Sequence, residues 1–367
     1  MFSPIGPLPH STDVFIVGGG PAGLAAAIAA RRRGFEVVVA DATAVDKVPI
    51  DKACGEGIMP DGLAAASALG IEIGPEAGHE FLGIRFCQGA QSVEACFPSG
   101  NGIGVRRTHL HRLLIDQAAD AGVHLAWGTP ISSIDAQGVV AAGRLVRARW
   151  IIGADGAASR VRRWARLESS HWHSRRFGFR RHYRVSRADH YMELHWGEGC
   201  QLYLTPIAAQ EVCLVLISRN PRLRIEEALQ RFPEMAARLK QAKASSAEKG
   251  SVTATRRLRQ VWRGNVALVG DASGSVDAAT GEGLCLLFHQ AAALADALAE
   301  GDLRGYQAAH RRCARRPELM GRLLLLLDRY RTVRHGALAA LFAQPRIFAA
   351  LLAAHVRQGF ALPIPQL

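Results

Sequence analysis

The chain has 367 residues, 49% hydrophobic and 21% charged, which is enough for a large core or two domains sharing an interface and excludes a disordered protein. Its formal charge of +13 is almost wholly arginine, since lysine occurs only at Lys47, Lys52, Lys240, Lys243 and Lys249. That excess reads either as a solvated surface or as attraction for an anionic partner such as a dinucleotide, a nicotinamide phosphate or a membrane; no helix-turn-helix, zinc-finger or RNA-binding signature points to nucleic acid.

Met1 to His10 holds three prolines and no apolar run, so no signal peptide is expected. Asp13 to Val17 reads as a short buried parallel strand. Gly18-Gly-Gly20-Pro-Ala-Gly23 then matches G-x-G-x-x-G. An Ala-rich helix from Leu24 to Arg33 stops at Gly34, and a second strand from Phe35 to Ala40 ends at Asp41. Each part has a physical task. Gly18 permits the tight turn, Gly20 lets a backbone approach a pyrophosphate, and Gly23 lets helix and strand pack closely. The helix start offers free N–H groups to phosphate, and Asp41 can accept from ribose hydroxyls. This unit predicts dinucleotide binding without saying which dinucleotide.

Next comes Lys52-Ala-Cys54-Gly-Glu56-Gly-Ile-Met-Pro60. Cys54 is either a functional thiol or a small buried residue in a glycine-rich turn. Glu56 is either an acid–base group or a loop carboxylate paired with an arginine. Phe81 to Phe97 looks like a hairpin. Arg106 and Arg107 precede a helix, and either could face an anionic ligand. Apolar strands then run into Asp155-Gly156, within Trp150-Ile-Ile-Gly-Ala-Asp155-Gly156, and into Gly270-Asp271, within Gly264-Asn-Val-Ala-Leu-Val-Gly270-Asp271. Both place a carboxylate at the carboxyl end of a strand, where open α/β sheets bind ligands. Between them, 182–186, 191–196, 200–207 and 211–218 look like successive antiparallel strands, followed by a helix over 224–243. Tyr203 sits on one of these strands, as sheet packing or as a group over the site. The basic segment Arg175 to Arg187 reads chiefly as a solvated strand face, with anion capture as the other reading. Thr280-Gly281-Glu-Gly283 opens an apolar helix. The tail from Gly301 is helical and rich in Leu, Ala and Arg, and reads as helix packing or as a lid or interfacial surface for an oily substrate. The seven cysteines include no C-x-x-C pair, and the histidines show no metal-ligand spacing; a reducing cytosolic setting without a metal site is expected. No stretch reaches the length of a membrane span.

The glycine-rich loop, the Asp155-Gly156 motif and the Gly270-Asp271 motif, in this order, resemble those of the FAD-dependent oxidoreductases that include single-component aromatic hydroxylases and geranylgeranyl reductases. The resemblance covers roughly residues 13 to 300. It implies an α/β fold: a Rossmann-type, glutathione-reductase-like FAD-binding domain with an inserted antiparallel β-sheet substrate domain and a C-terminal helical tail. The expected division is 1–75, 101–168 and 251–300 for FAD, 76–100 and 169–250 for substrate, and 301–367 for the tail. It further implies that Asp271 holds a ribityl hydroxyl and that Gly281 and Gly283 open a helix toward the flavin pyrimidine edge. Arg107 would contact FAD, and Asp155 and Gly156 would shape the nicotinamide approach. Cys54, Glu56 and Tyr203 are the candidate catalytic residues. The Cys-Gly-Glu-Gly and Thr-Gly-Glu-Gly forms are similar to the reductase branch, and the hydroxylases more often carry an arginine near the first and a different sequence near the second.

No second G-x-G-x-x-G unit occurs, so NAD(P)H would act as a transient reductant at the same face. The leading expectation is a monooxygenase that uses O2 to hydroxylate an apolar, phenolic or polyketide-type small molecule, with peripheral membrane contact as a possible accompaniment. The alternative is a geranylgeranyl-reductase-like enzyme that reduces carbon–carbon double bonds of a prenyl or other lipid. A non-catalytic flavin-binding protein is the third reading. Halogenation is disfavoured, because no tryptophan-x-tryptophan-x-isoleucine segment is found.

Overall fold

The computed structural model describes residues 7–168 and 170–356. In chain order, the elements that position the site begin with β1 (Ser11–Val17), α1 (Pro21–Arg32), β2 (Val37–Asp41), β3 (Gly83–Gln88), β4 (Gln91–Cys96), α2 (Arg107–Asp120), β5 (His124–Trp127) and β6 (Arg144–Gly153). They continue with β7 (Ser170–Arg184), β8 (Tyr191–Trp196), β9 (Cys200–Ala208), β10 (Glu211–Ser218), β11 (Lys249–Leu258) and β12 (Val266–Leu268). Four helices close the described chain: α3 (Gly283–Glu300), α4 (Leu303–Arg329), α5 (Arg331–Ala343) and α6 (Pro345–Val356).

The first sheet has a parallel core in the order β12–β6–β1–β2–β5. Its strands are near-continuous apolar runs because helices cover them; Val14, Phe15 and Ile16 are fully buried. Residues 23–30 of α1 are all buried as well, which the run of alanines permits without steric conflict. α1 packs on α3 and α2.

The second sheet runs β11–β7–β10–β9–β8–β3–β4. It is antiparallel except at one junction, where β8 pairs β3 in parallel. A small three-stranded sheet of Gly57–Ile58, Gly102–Gly104 and His79–Phe81 packs against β9 of the second sheet.

Three expectations change. The segment 249–258, whose residues from 251 were assigned to the FAD domain, forms a long ladder with β7 and so belongs to the second sheet. The single helix expected over 224–243 is two short ones, Ile225–Leu229 and Pro233–Leu239. Pro233 has no N–H to give to the preceding turn and pushes Phe232 out of helical backbone, so the chain restarts there. The third concerns the basic segment on β7. Its side chains alternate: Phe179 and Tyr183 point into an apolar cluster, whereas Arg176, Arg180 and His182 point to the other face and are buried. They are not a solvated face.

In the tail, α6 packs on β4 and the rings of Phe348 and Phe86 lie 4.8 Å apart. Leu319, Leu323, Leu326, Tyr330, Val333, Ile347 and Leu351 remain exposed. Among the described residues no single helix is long and apolar enough to cross a membrane, although α5 and α6, bent by 104°, pass that test as a pair. The part of the expected tail at 357–367 lies outside the described residues.

Candidate functional site

The turn after β1 is built so that only glycine fits. Gly18 has φ +112, and a Cβ there would stand 2.5 Å from the Ala154 carbonyl oxygen. A Cβ at Gly23 would be 2.0 Å from the Gly18 oxygen. At Gly20, by contrast, it would meet nothing within 4 Å, because that face opens into a cavity. Asp41 receives the Gly19 amide at 2.8 Å and the Thr43 amide at 2.8 Å. His111 closes the loop from behind. The Ile50 amide donates to its Nδ1 at 2.8 Å, so its Nε2–H donates to the Gly19 carbonyl at 2.6 Å. Burial, with Arg107 nearby, lowers His111 to about 4 and keeps it neutral.

The cavity beside this loop has a volume of about 1110 Å³ and lies between the two large sheets. The carboxyl ends of β1, β2, β6 and β12 deliver Gly18 and Gly20, Asp41, Asp155 and Gly156, and Gly270 and Asp271 to its wall. Met192, Tyr203, Val215 and Ile217 face it from the second sheet, and Gly281, Gly283, Leu284 and Leu287 from the start of α3. Cys54, Glu56 and Arg107 line it too. Of the residues singled out from sequence for cofactor or catalysis, Gly23 stands back, packed beneath the loop, and so does Arg106.

Their local commitments differ. Asp271 is half exposed and its Oδ2 lies 3.2 Å from Lys52 Nζ. Asp155 accepts from Ser159 Oγ at 2.5 Å and from the amides of Arg160 and Val161, so one of its tasks is to fix the turn after β6. The choice between the two arginines resolves by geometry. Arg106 is held by Glu211 and Ser245. Arg107 is buried with its Nη1 lacking a hydrogen-bond partner among the described residues, and burial lowers its pKa. A buried guanidinium N–H left unpaired at a cavity wall calls for an anionic or polar ligand.

The candidate catalytic residues also separate. Tyr203 donates to the Ala279 carbonyl at 3.0 Å, and burial drives its phenol far above the ordinary range. It anchors the turn before α3 instead of presenting a free acid. Glu56 is buried with φ +62; its Oε1 accepts the Arg107 amide at 2.9 Å and its Oε2 meets His182 Nε2 at 2.7 Å. Cys54 is half-buried, accepts the Glu56 amide at 3.4 Å, and is pushed up by burial and by the Glu56 charge.

An FAD-binding-domain family model matches residues 11–309. The chain belongs to that family. This flavoprotein is 35% identical over 172 residues to a menaquinone reductase of Mycolicibacterium smegmatis, covering 44% of this chain and 41% of that one. It is 31% identical over 173 residues to 6-methylpretetramide 4-monooxygenase of Streptomyces rimosus, covering 42% and 40%. The match thus spans about two-fifths of the length of each relative. Among solved structures, a triple mutant of the flavin-dependent brominase Bmp2 superposes with a TM-score of 0.77 at 18% identity, over 95% of this chain and 96% of that one, which shows the shared fold.

The site fits FAD on observations of this chain: a glycine cradle that side chains would fill, a helix start facing the cavity, and the unpaired Arg107 Nη1. Sequence reasoning missed His111, His182, Arg176 and Gln290. Gln290 accepts the Gly270 amide at 2.8 Å. Arg176 binds Asp277, with Nε 3.1 Å from Oδ2, and Gln201 at 3.0 Å. A basic run alternating with aromatics on a strand was the available signal for Arg176 and His182; the other two carry none.

Proposed function

We propose that this flavoprotein is an FAD-dependent monooxygenase that hydroxylates an apolar, phenolic or polyketide-type small molecule. The FAD pyrophosphate would lie over Gly18 to Gly23, with Arg107 within reach, its ribityl chain against Asp271, and its pyrimidine edge toward Gly281 and Gly283. FAD bound there supplies two-electron redox chemistry and, once reduced, reactivity toward O2. The chain's own residues position it, exclude water with Met192, Val215 and Ile217, and favour negative charge at the start of α3. NAD(P)H is the proposed transient reductant. The exposed leucines of α4 and α6 are the proposed surface for peripheral contact with a membrane holding an oily substrate.

The observation that carries this reading is that two of the candidate acids lining the cavity are committed to protein partners. Reducing an alkene needs a protein group to deliver a proton. Tyr203 and Glu56 are already engaged by Ala279, Arg107 and His182. The second reading, alkene reduction, is favoured by the resemblance to menaquinone reductase and rests on Cys54 as donor, since a thiol raised by burial stays protonated.

The test is NAD(P)H oxidation by the purified yellow protein with O2 recorded in parallel, adding apolar phenols and prenyl lipids in turn. Substrate-stimulated O2 uptake with an oxygenated product is expected, and Cys54→Ala should retain it. Anaerobic saturation of an alkene, abolished by Cys54→Ala with FAD content intact, would establish the reductase reading instead.

A further inference from the structure

The tail helix α6 reaches the turn that opens α3. His355, in the last turn of α6, places its Nε2 2.8 Å from Glu282 Oε1, and both side chains are buried, at 7% and 4% exposure. Glu282 sits between Gly281 and Gly283, two glycines of the cavity wall, but does not line the cavity itself. Its own amide donates to Thr280 Oγ1 at 3.2 Å.

A carboxylate at this place is electrostatically awkward. The first N–H groups of a helix carry partial positive charge, and a nearby anion offsets it. An uncompensated Glu282 would weaken the stabilisation that the start of α3 offers to reduced flavin. Among the described residues, the charged neighbours of the pair include Asp61 from the helix Pro60–Ala68, whose Oδ2 lies 3.7 Å from His289, and Arg316 from α4; Cys285 is a further titratable neighbour. Burial pulls His355 down, but the hydrogen bond and charge of Glu282, helped by Asp61, outweigh it and raise its pKa.

We infer that His355 is a positioning residue of the flavin site: its cation neutralises Glu282, so that the helix start facing the cavity keeps its positive potential and the bound flavin its affinity for electrons. This rests on the proposed placement of FAD at Gly281 and Gly283.

The test is the midpoint potential of the bound flavin, with FAD content recorded, in the wild-type holoprotein and in His355→Gln, Glu282→Gln and the double variant at about pH 6, below the ordinary histidine value that the contact with Glu282 raises. His355→Gln should lower the potential enough to change the oxidised-to-reduced ratio at least tenfold, which is about 30 mV for a two-electron couple. The double variant should return to the wild-type value. Glu282→Gln alone, which keeps the assay decisive if His355→Gln does not fold, should leave the potential at or above the wild-type value, because it removes the anion. A fully flavinated His355→Gln with an unmoved potential, or a Glu282→Gln potential below wild type, overturns the inference and leaves the flavin placement standing. A wild-type protein that takes up no FAD overturns both.

Discussion

At the scale of single residues, the most direct prediction concerns Asp271. Its pairing with Lys52 is half exposed on both sides, and such pairs contribute only about 0–1 kcal/mol to stability. Asp271→Ala should therefore fold with nearly unchanged stability yet purify without flavin, read from the visible absorbance per polypeptide; a fully yellow variant would remove Asp271 from the ribityl assignment. His111 and His310 make a second prediction. Burial lowers both to about 4, so the folded state resists protonation while the unfolded chain accepts it near 6.5. Their contribution is complete above the unfolded value and is lost as pH falls toward 4, by up to roughly 3 kcal/mol per residue. Urea midpoints should fall between pH 6.5 and 4, and His111→Asn should flatten part of that fall. Asp271 and the glycines were legible because a strand end and a tight turn impose them locally. His111 was not: its partners Gly19 and Ile50 are far away in the sequence, and a lone histidine on a helix carries no sign of what it will meet.

Among elements, β7 was the hardest to read and is the most consequential. Arg176 and Arg180 read as part of a solvated face because composition alone cannot say which residues of a strand will be covered; Arg175 and Arg184 do stay exposed. In the fold one face meets the apolar cluster of Phe179 and Tyr183, and the other carries Arg176 to Asp277, itself fully buried. Asp277 in turn caps the turn Ala278–Thr280 by accepting the Ala279 amide at 2.9 Å, so this ion pair ties the second sheet to the segment that precedes α3. Arg176→Met strands a buried carboxylate and should cost about 3–5 kcal/mol in chemical denaturation. Adding Asp277→Asn, which keeps the capping oxygen and removes the charge, should recover most of that loss. Equal stability of the two variants would show that the charge is not the source of the cost. The helix expected over 224–243 shows the opposite balance: the proline that divides it was visible in the sequence, but the apolar pattern on either side outweighed it.

For the whole molecule, the order of the three motifs was enough to foretell a parallel sheet with ligand groups at its strand ends, because each motif joins an apolar run to a glycine and a carboxylate. Which sheet each intervening strand joins was not legible. Residues 249–258 follow the chain toward the last motif but pair with β7, since pairing is decided by partners distant in sequence. The same was true of the tail, where packing against β4 and contact with Glu282 both occur, while seven large apolar side chains stay exposed. β12, an edge of the parallel core, and the carbonyl of Ala154 that fixes Gly18 come from residues far beyond the glycine loop. A chain emerging from the ribosome therefore exposes the glycine turn long before it can close, and leaves the side of β6 at Ile151–Gly153 without β12 until residue 268 is out. Domains generally fold as units during synthesis, and unpaired strand edges invite aggregation meanwhile. Cofactor capture is thus a late event in biogenesis, and expression limited by flavin supply should appear as aggregated full-length chains instead of short-lived soluble ones.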